Sequence, residues 1–185
     1  LSIAVIGVDP GVSGALCLIV NSKLCAIFDM PVLELPGKKK LVFDKLGNPI
    51  EKIGVRHEID PHGVRRVMAN WRDYVKAPCT FVIEKMWGRA GQDVVSTSNL
   101  MYGAGLVTGV AIGLNFGVER IAPATWKSKL GVSADKKSSL DLARELAQSE
   151  PDEAKWTKMF ARKMDNNRAE SYLIAKFGDK LVNGG

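Results

Sequence analysis

Three places in this chain set acidic side chains where they can do chemistry. Asp9 follows the apolar run of residues 3–8 and precedes Pro10-Gly11, so the chain drives a buried strand into a carboxylate and then turns. Glu84 repeats the arrangement after Phe81-Val82-Ile83. The third place is the cluster Asp165-Asn166-Asn167-Arg168-Ala169-Glu170. If the two strands are neighbours, their end carboxylates repel unless a proton or cation comes between them. Oxygen-only ligands of this kind select Mg²⁺ or Mn²⁺. Each acid also has a plain structural alternative. Asp9 can cap its own turn, Glu84 can simply reach solvent, and an acidic helix start balances the helix dipole. Asp165 and Glu170 are five residues apart and do not share a regular helical face. They work together only if Asp165 sits before the helix, near its N-cap, with Glu170 on the first or second turn.

Other chemistries are poorly supplied. Cys17, Cys25 and Cys79 are an odd number without C-x-x-C spacing, which argues against a zinc site or disulfide framework and for a reducing, cytoplasmic compartment. His57 and His62 are the only histidines, so a His-rich metal site or a Ser-His-Asp triad lacks its parts. No apolar run reaches the roughly 18–20 residues that span a bilayer. A formal charge of +6 with a pI near 9.3 favours a polyanionic partner without requiring one.

The elements that must position these acids read as an α/β domain with a mixed sheet, one unit over 1–185. Strands are expected at 3–8, 15–20 and 24–28, with a hairpin turn at Asn21-Ser22-Lys23. Between 30 and 58 the pattern weakens. Lys38-Lys39-Lys40 and the turn Leu46-Gly47-Asn48-Pro49 point to an exposed hairpin insertion at 34–58. Asp60-Pro61 opens a helix as N-cap and first residue, followed by a strand ending at Glu84 and a Gly-rich loop at 88–91. A long helix over 96–114 contains Gly103, Gly105, Gly109 and Gly113, which cost propensity and imply close packing. A strand at 118–122, a helical turn from Pro123, and helices at 135–147 and 152–163 follow. The last helix is expected to start near Asp165 or Asn166 and to end on Gly178 as a C-cap.

Gly7-Val8-Asp9-Pro10-Gly11, Val82-Ile83-Glu84 and Arg168-Ala169-Glu170-Ser171-Tyr172-Leu173-Ile174-Ala175 resemble the acidic blocks of RuvC-type Holliday junction resolvases. The likeness is nearest to the bacteriophage branch, through Gly91-Gln92-Asp93 and Ala122-Pro123-Ala124-Thr125-Trp126-Lys127, and it covers residues 3 to about 178. It implies a ribonuclease H-like fold, a mixed five-stranded sheet flanked by helices. It also implies cleavage of branched DNA such as a four-way junction, with two Mg²⁺ ions per site (Mn²⁺ substituting) and a 5′-phosphate on the product. By position, the metal-binding carboxylates fall on Asp9, Glu84 and Glu170, with Asp165 as the fourth. In bacterial members the fourth position lies three residues before the last acid, which here is Asn167. The same resemblance places Lys127 and Lys136 on the DNA, gives Trp87 a base to stack on, and makes the 96–114 helix a homodimer interface. Arg89, Lys38, Lys39 and Lys40 could add phosphate contacts. Two rival classes remain, a non-catalytic DNA-binding module and an actin-like ATPase. The ATPase needs a second Asp-x-Gly turn after a strand, which is not apparent.

Overall fold

The computed structural model describes residues 3–87, 91, 93–133 and 135–184, without the side chain of Lys136. Strand β1 (Ala4–Asp9) and strand β2 (Ala15–Val20) are buried almost throughout, as their unbroken apolar sequences require of strands covered on both faces. Strand β3 (Lys23–Asp29) completes a meander. A long ribbon of β4 (Val32–Phe43) and β5 (Pro49–Ile59) then leaves the main sheet. Helix α1 (Pro61–Val75) starts where the sequence places it, the Asp60 carboxylate accepting from the His62 backbone N–H at 3.0 Å.

After β6 (Cys79–Glu84) comes α2 (Val94–Gly113), capped by Asp93, then β7 (Gly117–Ile121). Helices α3 (Pro123–Leu130), α4 (Lys136–Ala147) and α5 (Glu153–Met159) follow. A single 3₁₀ turn (Lys163–Asp165) leads into α6 (Asn166–Val182). The fifth helix is shorter than its charge pattern predicts, because Asp152 sits at φ 63° and Phe160 closes the helix with its ring fully buried.

The five-stranded sheet has the order β3-β2-β1-β6-β7. Pairing is antiparallel among the first three strands and parallel from β1 to β6 to β7, the mixed sheet that the sequence predicts. Alternation along β1 divides the core. Val5, with Val82 of β6, packs under α3, α4 and α6 among Trp126, Leu140, Phe160 and Tyr172. Ile6 and Val8, with Phe81 and Ile83, pack under α1 and α2 among Val64, Met68, Trp71 and Val107.

Helix α6 lies on β1 at backbone contact. A Cβ on Gly7 would fall 2.3 Å from the Ala175 nitrogen and 2.3 Å from the Ser171 carbonyl oxygen. Gly178 is an interior residue of α6 and not its C-cap. A Cβ there would stand 2.6 Å from Val82 Cγ2, so its smallness serves packing and the helix runs on to Val182. In α2 the glycines divide. Gly103 is pressed by Ile59 and the Pro10 carbonyl, whereas Gly105, Gly109 and Gly113 have open space where a Cβ would go. Close packing therefore accounts for one of the four. Replacing Gly7 by Ala should separate α6 from the sheet and lower stability by about 1–3 kcal/mol, read as a fall in urea midpoint. An unchanged midpoint would contradict the backbone contact.

Candidate functional site

The strand register brings the first two acids together. Parallel partners run Ala4–Cys79 through Val8–Ile83, so Asp9 and Glu84 occupy the next matched position, on backbones about 4.8 Å apart. Val5 and Val82 face α6, and two-residue alternation carries that face to Asp9 and Glu84. The third acid arrives on α6, which runs antiparallel to β1. Gly178 sits over Val5 and Val82, and Ser171 and Ala175 over Gly7. The first turns of the helix therefore lie above the strand ends. Asn167 Nδ2 donates to the Ser13 carbonyl at 2.6 Å, fastening the helix start to the loop that follows Asp9. That loop needs glycine, since a Cβ at Gly14 would be 2.0 Å from the Asp9 carbonyl oxygen.

Helix α3 reaches two of these acids through consecutive residues. The indole Nε1–H of fully buried Trp126 donates to Glu84 Oε1 at 2.6 Å. Lys127 Nζ pairs with Glu170 Oε1 at 3.1 Å, and the Ser139 hydroxyl donates to the same oxygen at 3.3 Å. Both members of the Lys127–Glu170 pair are mostly buried, so the ammonium offsets charge that burial would otherwise penalise. Among the described residues, no three His, Cys, Asp or Glu side chains stand close enough to hold a metal ion in the arrangement seen. The acids fit a hard divalent cation by chemical type, but Glu170 is engaged by an ammonium.

Asp165 stands just before α6, where the sequence puts it, and its bonds lead elsewhere. Its Oδ1 accepts from Arg162 Nη2 at 2.7 Å, Arg162 Nε at 3.1 Å and Arg168 Nη1 at 3.3 Å, and its Oδ2 accepts from the Arg162 backbone N–H at 2.8 Å. Arg168 extends the chain of contacts to Asp29. Burial works against the charge of Asp165, but these bonds outweigh it and hold the carboxyl below its ordinary range. A buried carboxylate so enclosed anchors the turn before α6.

Among the expected DNA contacts, Trp87 is 66% exposed. It borders a cavity of about 360 Å³ together with Glu84, Met101, Gly105 and Arg120. Lys38, Lys39 and Lys40 lie on β4 of the ribbon. Arg89, Gln92 and the Lys136 side chain are outside the described residues. Trp126 and Ser139 are the contacts that sequence reasoning missed. Trp126 stands in the quoted Ala122–Lys127 block, but a tryptophan on a short helix reads as packing until the strand beneath it is known.

No family model and no curated protein sequence matches this chain. Its structure resembles that of Thermus thermophilus RuvC, with a TM-score of 0.52 and 13% identity over 97% of this chain and 95% of that one. Two further similar structures are T. thermophilus RuvC in complex with Holliday junction substrate (TM-score 0.49, 12% identity, 98% and 96% covered) and the yeast mitochondrial Holliday junction resolvase Ydc2 (0.49, 12%, 97% and 80%). The first of these likenesses, with the mixed sheet, defines an α/β protein of the ribonuclease H-like fold.

Asp165→Asn should cost roughly 1–3 kcal/mol at neutral pH. Because folding lowers the Asp165 pKa, its contribution is complete above the unfolded value of about 4 and is lost as the pH falls through the folded value. The stability gap between wild type and variant should therefore close on acidification. Urea melts across that range check it, and a gap independent of pH would refute the anchoring role.

Proposed function

We propose that this chain is a Mg²⁺-dependent, structure-selective endonuclease of the RuvC type that resolves four-way junctions or related branched DNA. The observation that carries the proposal is the placement of Asp9 and Glu84 one residue beyond the matched pair Val8–Ile83 of adjacent parallel strands, beneath the helix that bears Glu170. The metal-holding residues would be Asp9, Glu84 and Glu170, with Asp165 kept as a structural anchor. When bound, a pair of Mg²⁺ or Mn²⁺ ions supplies an activated water and stabilises the leaving oxygen. The chain's own residues do the positioning. The Trp126 N–H fixes the orientation of Glu84. Lys127, released from Glu170, would be free to meet a phosphate. Trp87 offers an exposed ring on which an unpaired base can stack, a contact worth about 1–3 kcal/mol.

A second copy of the chain would cover α2. Met101 and Ile112 are exposed along the helix, and Gly105 and Gly109 leave its surface open between them. A two-fold dimer through this face presents two sites to two strands. The phage-type sequence blocks support a protein acting in a host cytoplasm. Sedimentation should give a dimer that Gly105→Arg converts to a monomer. A monomeric wild type at micromolar concentration would overturn this interface.

The Lys127–Glu170 pair and the asparagine at 167 favour a second reading, a protein that binds branched DNA without cutting it. A labelled four-way junction incubated with Mg²⁺ or Mn²⁺ separates the two. Cleavage should occur in wild type and vanish in Asp9→Asn and Glu84→Gln. Trp126→Phe, which keeps the buried ring and loses the donor, should need ten- to a hundredfold more metal for the same rate. Junction left uncut by wild type with either metal would leave only the binding reading.

A further inference from the structure

The β4–β5 ribbon is the largest feature that the proposed cleavage chemistry leaves unused, and its register gives it two unlike faces. Residues opposite each other in an antiparallel pair share a face, and successive residues alternate. Lys40 lies opposite Lys52. At the bulge between Pro36 and Lys39, Gly37 and Lys38 together oppose Gly54, which sets Lys38 on the Lys40–Lys52 side. Arg56, opposite Leu35, is on that side too. The one acid on this face is Glu58, and it is bonded to Arg56 at 2.9 Å. On the other face Lys39 is paired with Glu51 at 3.0 Å and His57 approaches Glu34 at 3.5 Å. The remaining acid, Asp44, is spent on the turn, accepting from the backbone N–H groups of Leu46 and Asn48.

Like charges directly across a ladder destabilise it, yet Lys40 and Lys52 stand opposite each other on an exposed ribbon and, with Lys38, have no acid in ion-pair contact among the described residues. A polyanion lying on this face would turn that repulsion into attraction. The foot of the ribbon is in the right place for one. Arg56, Glu58 and Ile59 line a cavity of about 390 Å³ together with Pro10, Val12 and Ser13 of the loop after Asp9. The ribbon therefore rises beside the carboxylate end of the sheet. At about 3.3 Å per residue, its twelve-residue strand β4 runs to about 40 Å, a little more than one turn of B-form duplex, about 34 Å.

We propose that the Lys38–Lys40–Lys52 face of the ribbon lies along the phosphate backbone of a duplex arm leaving the active site. The proposal rests on the nuclease reading for which arm is held. It does not depend on cleavage. Lysine ammoniums bind phosphate as point charges, so the contact is indifferent to base sequence.

The test measures anisotropy of a labelled linear duplex and a labelled four-way junction over a range of salt concentrations. The protein carries Lys38→Ala, Lys40→Ala and Lys52→Ala together. A control carries Lys23→Ala, Lys155→Ala and Lys180→Ala, which removes equal charge from exposed positions off the ribbon. Each lost phosphate contact lowers the salt slope by about 0.9, so the ribbon variant should lose about 2–3 from its slope and the control less than about 1. Equal slopes in the two variants would overturn the ribbon proposal, and a change of oligomeric state with an unchanged slope would overturn it in favour of a contact between copies. If wild type binds but never cuts, and the slope still falls in the ribbon variant, the ribbon proposal stands while the nuclease reading fails. If wild type binds neither DNA, both fail.

Discussion

The contact between α6 and β1 is made by backbone, and most of the architecture on that side of the sheet follows from it. Gly7 admits the helix to a distance at which any side chain would strike the Ser171 carbonyl and the Ala175 nitrogen. Gly178 repeats the accommodation two turns later, against Val82. A helix held this near has little freedom to slide, because its own backbone is the contact surface. Its middle and its start are then tied by polar groups. Glu150 accepts from the Leu24 backbone N–H, the Tyr172 hydroxyl and Lys176. Burial opposes the Glu150 charge, but these donors keep its carboxyl below the ordinary range. At its start, Asp165 and Asp29 hold Arg168. Glu170 inherits its position over the strand ends from this fixed seating.

The acids themselves are balanced by α3, an eight-residue helix opened by Pro123 and closed by Gly131 in the left-handed region. Two adjacent residues on so short an element touch two different carboxylates because Trp126 points into the core and Lys127 runs along its rim, 5.1 Å above the indole ring. The indole donates a neutral hydrogen bond and keeps Glu84 oriented without cancelling its charge. The ammonium does cancel charge, at Glu170.

How much of this could be read in advance depends on whether the signal was local. Strands ending in Asp9 and Glu84 were legible, because an unbroken apolar run followed by an acid and a turn has few other meanings. So were the Asp60-Pro61 helix start and the mixed sheet. The ribbon gave a weak pattern since both its faces are wet and neither carries a burial period. Gly178 looked like a helix end because glycine's two uses, left-handed backbone and close approach, are identical in sequence. Gly105, Gly109 and Gly113 could not be told from Gly103, because open space beside a glycine leaves no mark in sequence. Trp126 and Ser139 act across 42 and 31 residues of chain, and no spacing rule spans that distance. Asp165 was placed correctly along the chain, but its guanidinium partners depend on how the 3₁₀ turn folds back.

The seating of α6 also sets when the site can come into being. Asp9 belongs to the first strand and Glu170 to the last helix, so Glu170 reaches the strand ends only after nearly the whole chain has been organised between them. Contacts of such sequence separation form late and slowly, since the closure entropy of the intervening loop is paid before they give anything back. A partly folded chain can have a complete β1–β2–β3 meander, even a complete sheet, and still lack the third acid. Conversely, loosening α6 alone, through an opening that leaves the sheet intact, would dismantle the constellation reversibly. The position of Glu170 over the strand ends is thus a reporter of completed folding, and the last helix is the part whose docking sets it.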